Sequence, residues 1–111
     1  LRMSRGLGDV YKRQYLDWPV SSADLEKLRG VRFVFTSGSH ALEIDGVELL
    51  ENGKVIARDQ HAGLAGKPSR GNFYKLSLPK GIHANNGCSL RARVRSVGGK
   101  SSNGKLELIK E

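Results

Sequence analysis

The chain has 111 residues, a length that suits one domain, and 38% of them are hydrophobic. Its apolar runs all fall well short of the roughly 20 residues a membrane-spanning helix needs, so no such helix is expected. A formal charge of +8 invites a nucleic-acid reading, yet the sign alternates along most candidate strands, and a single cysteine, Cys88, excludes an intrachain disulfide.

In chain order, residues 1–14 (LRMSRGLGDVYKRQ) carry Arg2, Arg5, Lys12 and Arg13 against Asp9 and show neither helical nor strand periodicity. The part SRGLGDVYKRQ resembles translated sequencing-adaptor read-through of the kind found at the ends of environmental reading frames. That resemblance implies that 1–14 stands outside the fold, as an artefactual or disordered tail, and that the natural chain continues upstream of Tyr15. An ordinary basic tail is the alternative. No apolar signal-peptide core is visible here, so an export signal would lie further upstream.

Residues 15–30 read as an entry segment. Ser21 or Ser22 suits the cap of a short helix around Ala23–Leu28, which Gly30 would stop. From 31 to 111 the pattern is that of strands. Val31, Phe33 and Phe35 alternate onto one face. Leu42, Ile44, Val47 and Leu49 follow, with their phase slipping by one at Asp45-Gly46, as at a β-bulge. Asn52-Gly53 between two apolar runs predicts a tight hairpin over about Ala41–Asp59, because a type I′ turn needs positive φ at both central residues. Residues 60–72 are rich in Gly, Pro, Ser and Asn and read as a loop. Tyr74, Leu76 and Leu78 alternate inward until Pro79, and Gly81–Gly87 reads as a turn. Leu90, Ala92 and Val94 define the inner face of a strand, residues 98–104 a turn, and Leu106–Ile109 a closing strand. Six to eight short strands with little helix predict an all-β antiparallel sandwich, jelly-roll or Ig-like.

Three groups of residues carry candidate chemistry. Asp59 and His61, with Gly63 and Gly66, form the one close carboxylate–imidazole pair in a Gly-rich loop. Such a pair suits catalysis, a metal or a calcium loop. The competing and preferred reading is that both side chains bond loop backbone and fix a crossing between strands. His61 lacks a second ligand at metal spacing, and His40 and His83 stand alone, so no metal or other cofactor is implied. Arg91, Arg93 and Arg95 share one strand face; they would meet a phosphate or acidic sugar, or simply keep that face soluble. Trp18 would stack on a glycan ring or, as the favoured alternative, anchor packing beside Pro19. No nucleophile elbow, phosphate loop, dinucleotide fingerprint or zinc spacing occurs.

The stretches Leu42–Lys54 (LEIDGVELLENGK) and Ala57–Gly66 (ARDQHAGLAG), with Asn72–Leu76 and Leu90–Val94, resemble a C-terminal β-sandwich module of bacterial exported glycoside hydrolases, notably family 20 β-N-acetylhexosaminidases. The resemblance covers about Trp18–Glu111, and its distinctive part is the D-x-H-x-G-x-x-G loop. It implies a non-catalytic accessory domain, structural or carbohydrate-contacting, and a catalytic domain upstream in the same polypeptide. It also implies a periplasmic or extracellular setting. The hydrolase family's catalytic residues lie on a separate barrel, and none maps onto this chain. A small basic domain that binds nucleic acid or another polyanion is the alternative from a different class.

Overall fold

A computed structural model describes residues 2–7, 10, 13–38, 40–81, 88–97 and 102–111. Its strands are β1 (Arg2–Gly6), β2 (Gln14–Val20), β3 (Leu28–Gly38), β4 (Leu42–Glu51), β5 (Lys54–Asp59), β6 (Gly63–Ala65), β7 (Phe73–Lys75), β8 (Cys88–Ser96) and β9 (Ser102–Lys110). One short helix, α1 (Ser22–Lys27), joins β2 to β3. The expected all-β sandwich is what these strands build. One sheet has the order β1-β9-β3-β7; the other has the order β2-β8-β4-β5, with β6 also paired to β4. All pairings are antiparallel. Pairing β1 with β9, β2 with β8, β3 with β7 and β4 with β5 nests each strand pair inside the previous one. That is the wrapping of a jelly roll rather than an immunoglobulin sandwich.

Alternation explains the core. Val31 and Phe33 of β3 sit opposite Leu108 and Leu106 of β9, and all four are buried. On the facing sheet, Leu42 and Ile44 point inward before the phase slip, and Val47 and Leu49 after it. The β4–β8 register breaks between Ile44 and Gly46, which leaves Asp45 as the extra residue of a bulge. One added residue restores the inward phase, since the side-chain period of a strand is two. The Asn52-Gly53 turn has φ of 50° and 79°, as a type I′ hairpin requires.

The helix forms where the cap signal placed it. Ser21 accepts a hydrogen bond from the Asp24 amide at 3.2 Å, and Leu25 is buried beneath. It ends at Lys27, before Gly30, because β3 already begins at Leu28. Gly30 serves close approach instead: a Cβ there would collide with the Tyr74 carbonyl and the Phe73 ring.

Several sequence expectations need correction. The sequence pattern puts residues 1–14 outside the fold, but Arg2–Gly6 forms β1 along the edge of β9, and Leu7 and Val10 are buried. An edge strand is held by main-chain hydrogen bonds, so it needs no apolar alternation to announce it. The entry segment 15–30 holds most of β2, all of α1 and the start of β3, and β2 accommodates Pro19 because it lies at a sheet edge. The 60–72 loop contains β6. Ser102–Gly104, expected within a turn, starts β9: Gly104 faces Phe35, and a Cβ there would strike Leu42 and the Val34 carbonyl. The remainder of that turn, and the expected turn beyond Gly81 with its His83, lie outside the described residues.

Candidate functional site

The D-x-H-x-G-x-x-G motif leaves β5 and runs through β6 in the same sheet, and residues 67–72 then carry the chain to β7 in the other. Asp59 Oδ2 accepts the Lys75 amide of β7 at 2.7 Å, and its Oδ1 lies 2.8 Å from His61 Nδ1. His61 Nε2 lies 2.8 Å from the Gly71 carbonyl oxygen. Both ring nitrogens therefore face atoms that only accept, and the imidazolium, with two N–H groups, satisfies both. Burial disfavours that charge, but the bonds to Asp59 and Gly71 and the nearby carboxylate outweigh it, so the His61 pKa is raised.

Tyr74 closes the arrangement from below. Its ring stacks on His61 with centroids 4.0 Å apart and planes 13° from parallel. Its buried hydroxyl lies 2.9 Å from the His61 carbonyl and 3.1 Å from the Ile44 carbonyl, which share its one proton. Burial, then the charges of Asp59 and Asp45, push the phenol pKa well up, so it stays a donor. Gly63 lies where a Cβ would strike the Gly71 carbonyl and the Tyr74 hydroxyl, and Gly66 packs against Ala41. Leu64 and Arg70 exchange two backbone hydrogen bonds of 2.8 and 2.9 Å across the loop. All four motif residues thus build a crossover clip. Each Asp59 oxygen faces an N–H donor, Oδ1 that of His61 and Oδ2 that of Lys75. Among the described residues no group of three His, Cys, Asp or Glu gathers as metal ligands would.

Trp18 is only 7% exposed, so it presents no ring face to a glycan. It packs edge-on to Phe33 at 6.5 Å, with Nε1 3.5 Å from the Gly6 carbonyl. Cys88 is buried, and burial followed by the Glu51 charge raises its thiol pKa.

Arg91, Arg93 and Arg95 do share the outer face of β8, but carboxylates on the neighbouring strands answer each of them. Arg91 Nε lies 3.0 Å from Asp17 of β2, and Arg95 Nε 2.8 Å from Glu43 of β4. The Arg95 hydrogen bond holds the Glu43 pKa down against a smaller cost of burial. Arg93 and Arg13 each lie 3.7 Å from Asp45, the bulged residue. Register aligns Asp17, Arg91, Glu48 and Arg58 in one row across four strands, alternating in sign. Arg58 holds Glu48 through two nitrogens, at 2.6 and 3.0 Å.

Beside that row the outer face is hollowed. A cleft of about 270 Å³ is lined by Tyr15, Asp45, Gly46, Val47, Glu48, Arg58, Gln60, Arg91 and Arg93. Gly46 in this lining presents no side chain opposite Arg93. Tyr15 stands 62% exposed at the rim, with the Arg93 guanidinium 5.8 Å from its ring centroid. Sequence reasoning brought Arg91 and Arg93 here but missed Tyr15, Asp45, Arg58 and Gln60. The signal was legible in part. Leu16, Trp18 and Val20 alternate inward, which turns Tyr15 and Asp17 outward, and a bulge re-aims the residues around it.

Fold and surface together define a two-sheet jelly-roll domain with a polar cleft on one outer face. No protein-family model matches the chain, and no curated protein matches it at a significant level.

Proposed function

We propose that this chain is a non-catalytic accessory module of an exported, carbohydrate-active polypeptide, working beside a catalytic domain of the same polypeptide in the periplasm or outside the cell. A β-N-acetylhexosaminidase of the type the sequence resembles is the favoured parent. The observation that carries the reading is the state of the Asp59–His61 pair. A general base or nucleophile activator needs one ring nitrogen free to face substrate. Here Nδ1 faces Asp59, Nε2 faces the Gly71 carbonyl, and the ring face is covered by Tyr74. The motif that distinguishes the resemblance is therefore used in joining the sheets.

The polyanion alternative gains no support from the arginine face. Arg91, Arg93 and Arg95 each face a carboxylate on an adjoining strand, so a phosphate chain would meet Asp17, Glu43 and Asp45 along with them. Beside these arginines stands Tyr15, a single ring where a platform for successive bases uses several.

The test is incubation of the chain with aryl glycosides and oligosaccharides, read as released sugar, together with the reading frame upstream at the same locus. No sugar release and an upstream hydrolase domain are expected. Sugar release that His61→Ala abolishes would overturn the proposal.

A further inference from the structure

The outer-face cleft has a chemistry of its own. It offers two carboxylates, Asp45 and Glu48, as acceptors, and three guanidinium groups, Arg58, Arg91 and Arg93, as donors. Gln60 supplies both an acceptor and a donor. Tyr15 adds an exposed apolar ring at the rim. A ligand that uses all of this has an apolar face, several hydroxyls that both donate and accept, and no net charge. A phosphate or carboxylate would be drawn by the arginines but would lie against Asp45 and Glu48, whose charges the same arginines already balance. About 270 Å³ is at the low end for small-molecule sites, which suits one ring rather than a long chain.

The site is also held in shape before any ligand arrives. Arg58 is fixed on Glu48 at 2.6 Å and Arg91 on Asp17 at 3.0 Å. Arg93 is set between the Tyr15 ring and Asp45. Groups fixed in this way lose little freedom on binding. The hollow exists because the bulge puts a glycine opposite Arg93; a Cβ at Gly46 would come within 3.3 Å of the Gln60 side chain and begin to fill it.

We propose that this cleft binds one pyranose unit of a neutral glycan, the ring's apolar face on Tyr15 and its hydroxyls on Asp45, Glu48, Gln60 and the three arginines. The proposal rests on the accessory-module reading for the source of the glycan, and it deepens that reading by giving the module a sugar-contacting site of its own.

The experiment is a titration of the ¹⁵N-labelled 111-residue chain, followed by amide NMR. The probes are neutral trisaccharides (tri-N-acetylchitotriose, cellotriose, xylotriose and maltotriose) and, as the anionic arm, trigalacturonate and a DNA oligonucleotide. At least one neutral probe at millimolar concentration should move the amides of Tyr15, Gly46, Gln60 and Arg93. Tyr15→Ala should weaken that binding roughly tenfold, while Tyr15→Phe should keep it within about threefold. Should Tyr15→Ala fail to fold, the map of shifted amides in the parent chain decides. The proposal is overturned if no neutral probe moves these amides, if only an anionic probe does, or if Tyr15→Ala binds unchanged. Absent shifts without sugar release would remove the cleft site and leave the accessory module standing. Sugar release that His61→Ala abolishes would remove the module reading whatever the shifts.

Discussion

Removing the Asp59 carboxylate tests the crossover clip directly. In Asp59→Ala, the Lys75 amide loses its 2.7 Å acceptor and His61 Nδ1 its 2.8 Å partner. Hydrogen bonds to a charged group contribute about 1.5–3 kcal/mol each. Asp59 and His61 side chains are 26% and 35% exposed, so water replaces part of what is lost and the low end applies. The expected cost is therefore about 2–3 kcal/mol, a large share of the roughly 5–15 kcal/mol that holds a domain folded. In a thermal melt that is a fall on the order of 10 °C.

The pH dependence separates this clip from a generic loss of packing. His61 has a folded pKa raised above its ordinary value of 6.5. Its contribution is then fully present below pH 6.5 and is lost as pH climbs through the folded pKa. Cys88 has a raised pKa of the same sense, and its contribution begins to fall only near its ordinary 9.0. Denaturant midpoints between pH 6 and about pH 8 thus report the histidine. The parent chain should lose stability across that range, and Asp59→Ala should flatten the slope as well as lower the midpoint. A parent chain equally stable at both ends, or a cost under about 0.5 kcal/mol, would refute the clip.

Other consequences are simpler to read. Gly53→Ala should cost about 1–2 kcal/mol by denaturant melt: φ is 79° and nothing lies within 4 Å of an added Cβ, so only the left-handed backbone is penalised. Trp18→Ala should cost about 3–5 kcal/mol, since it removes the ring that packs edge-on to Phe33. Deleting residues 1–9 removes β1 and buried Leu7, worth about 1.5–3 kcal/mol for that side chain alone, and bares the edge of β9. The truncated chain should melt earlier and self-associate on gel filtration; an unchanged melt would mean that β1 adds nothing to the fold.

The parts of the fold that were legible are those where side-chain pattern and backbone demand coincide. Asn52-Gly53 must turn because both residues take positive φ, and the Ile44-to-Val47 phase slip must be a bulge because otherwise one half of β4 would bury its polar face. What sequence pattern left hidden depends on backbone alone or on distant partners. Strand β1 has no apolar alternation, and three-residue β6 sits inside a loop composition; both are defined by the strands they border. Trp18 is ambiguous in sequence because its burial follows from the phase of Leu16 and Val20 along β2, which begins inside the basic N-terminal stretch. Among site residues, Asp59 and His61 were found as neighbours in sequence, but Tyr74 and Gly71 completed the clip from 13 and 10 residues beyond the histidine. Tyr15 and Gln60 line one cleft because β2 and the end of β5 flank the same bulged face.

Charge shows why the distribution of residues over a sheet matters more than their sum. The chain carries +8, yet the outer face of β8 is not a cationic surface. Strand neighbours bring Asp17, Glu43 and Asp45 within 2.8–3.7 Å of its three arginines. Screening in physiological salt acts over about 8 Å, so at longer range each such pair counts as a dipole rather than a charge. These exposed pairs add little stability, about 0–1 kcal/mol each. Their consequence is instead for recognition. A row that alternates in sign offers donors and acceptors side by side at fixed spacing without a field strong enough to gather polyanions. Such a row discriminates by hydrogen-bond geometry, which a neutral polyhydroxyl ligand satisfies and a phosphate backbone does not. The bulge then adds what a flat row lacks, a concavity over Gly46 with an aromatic ring at its rim.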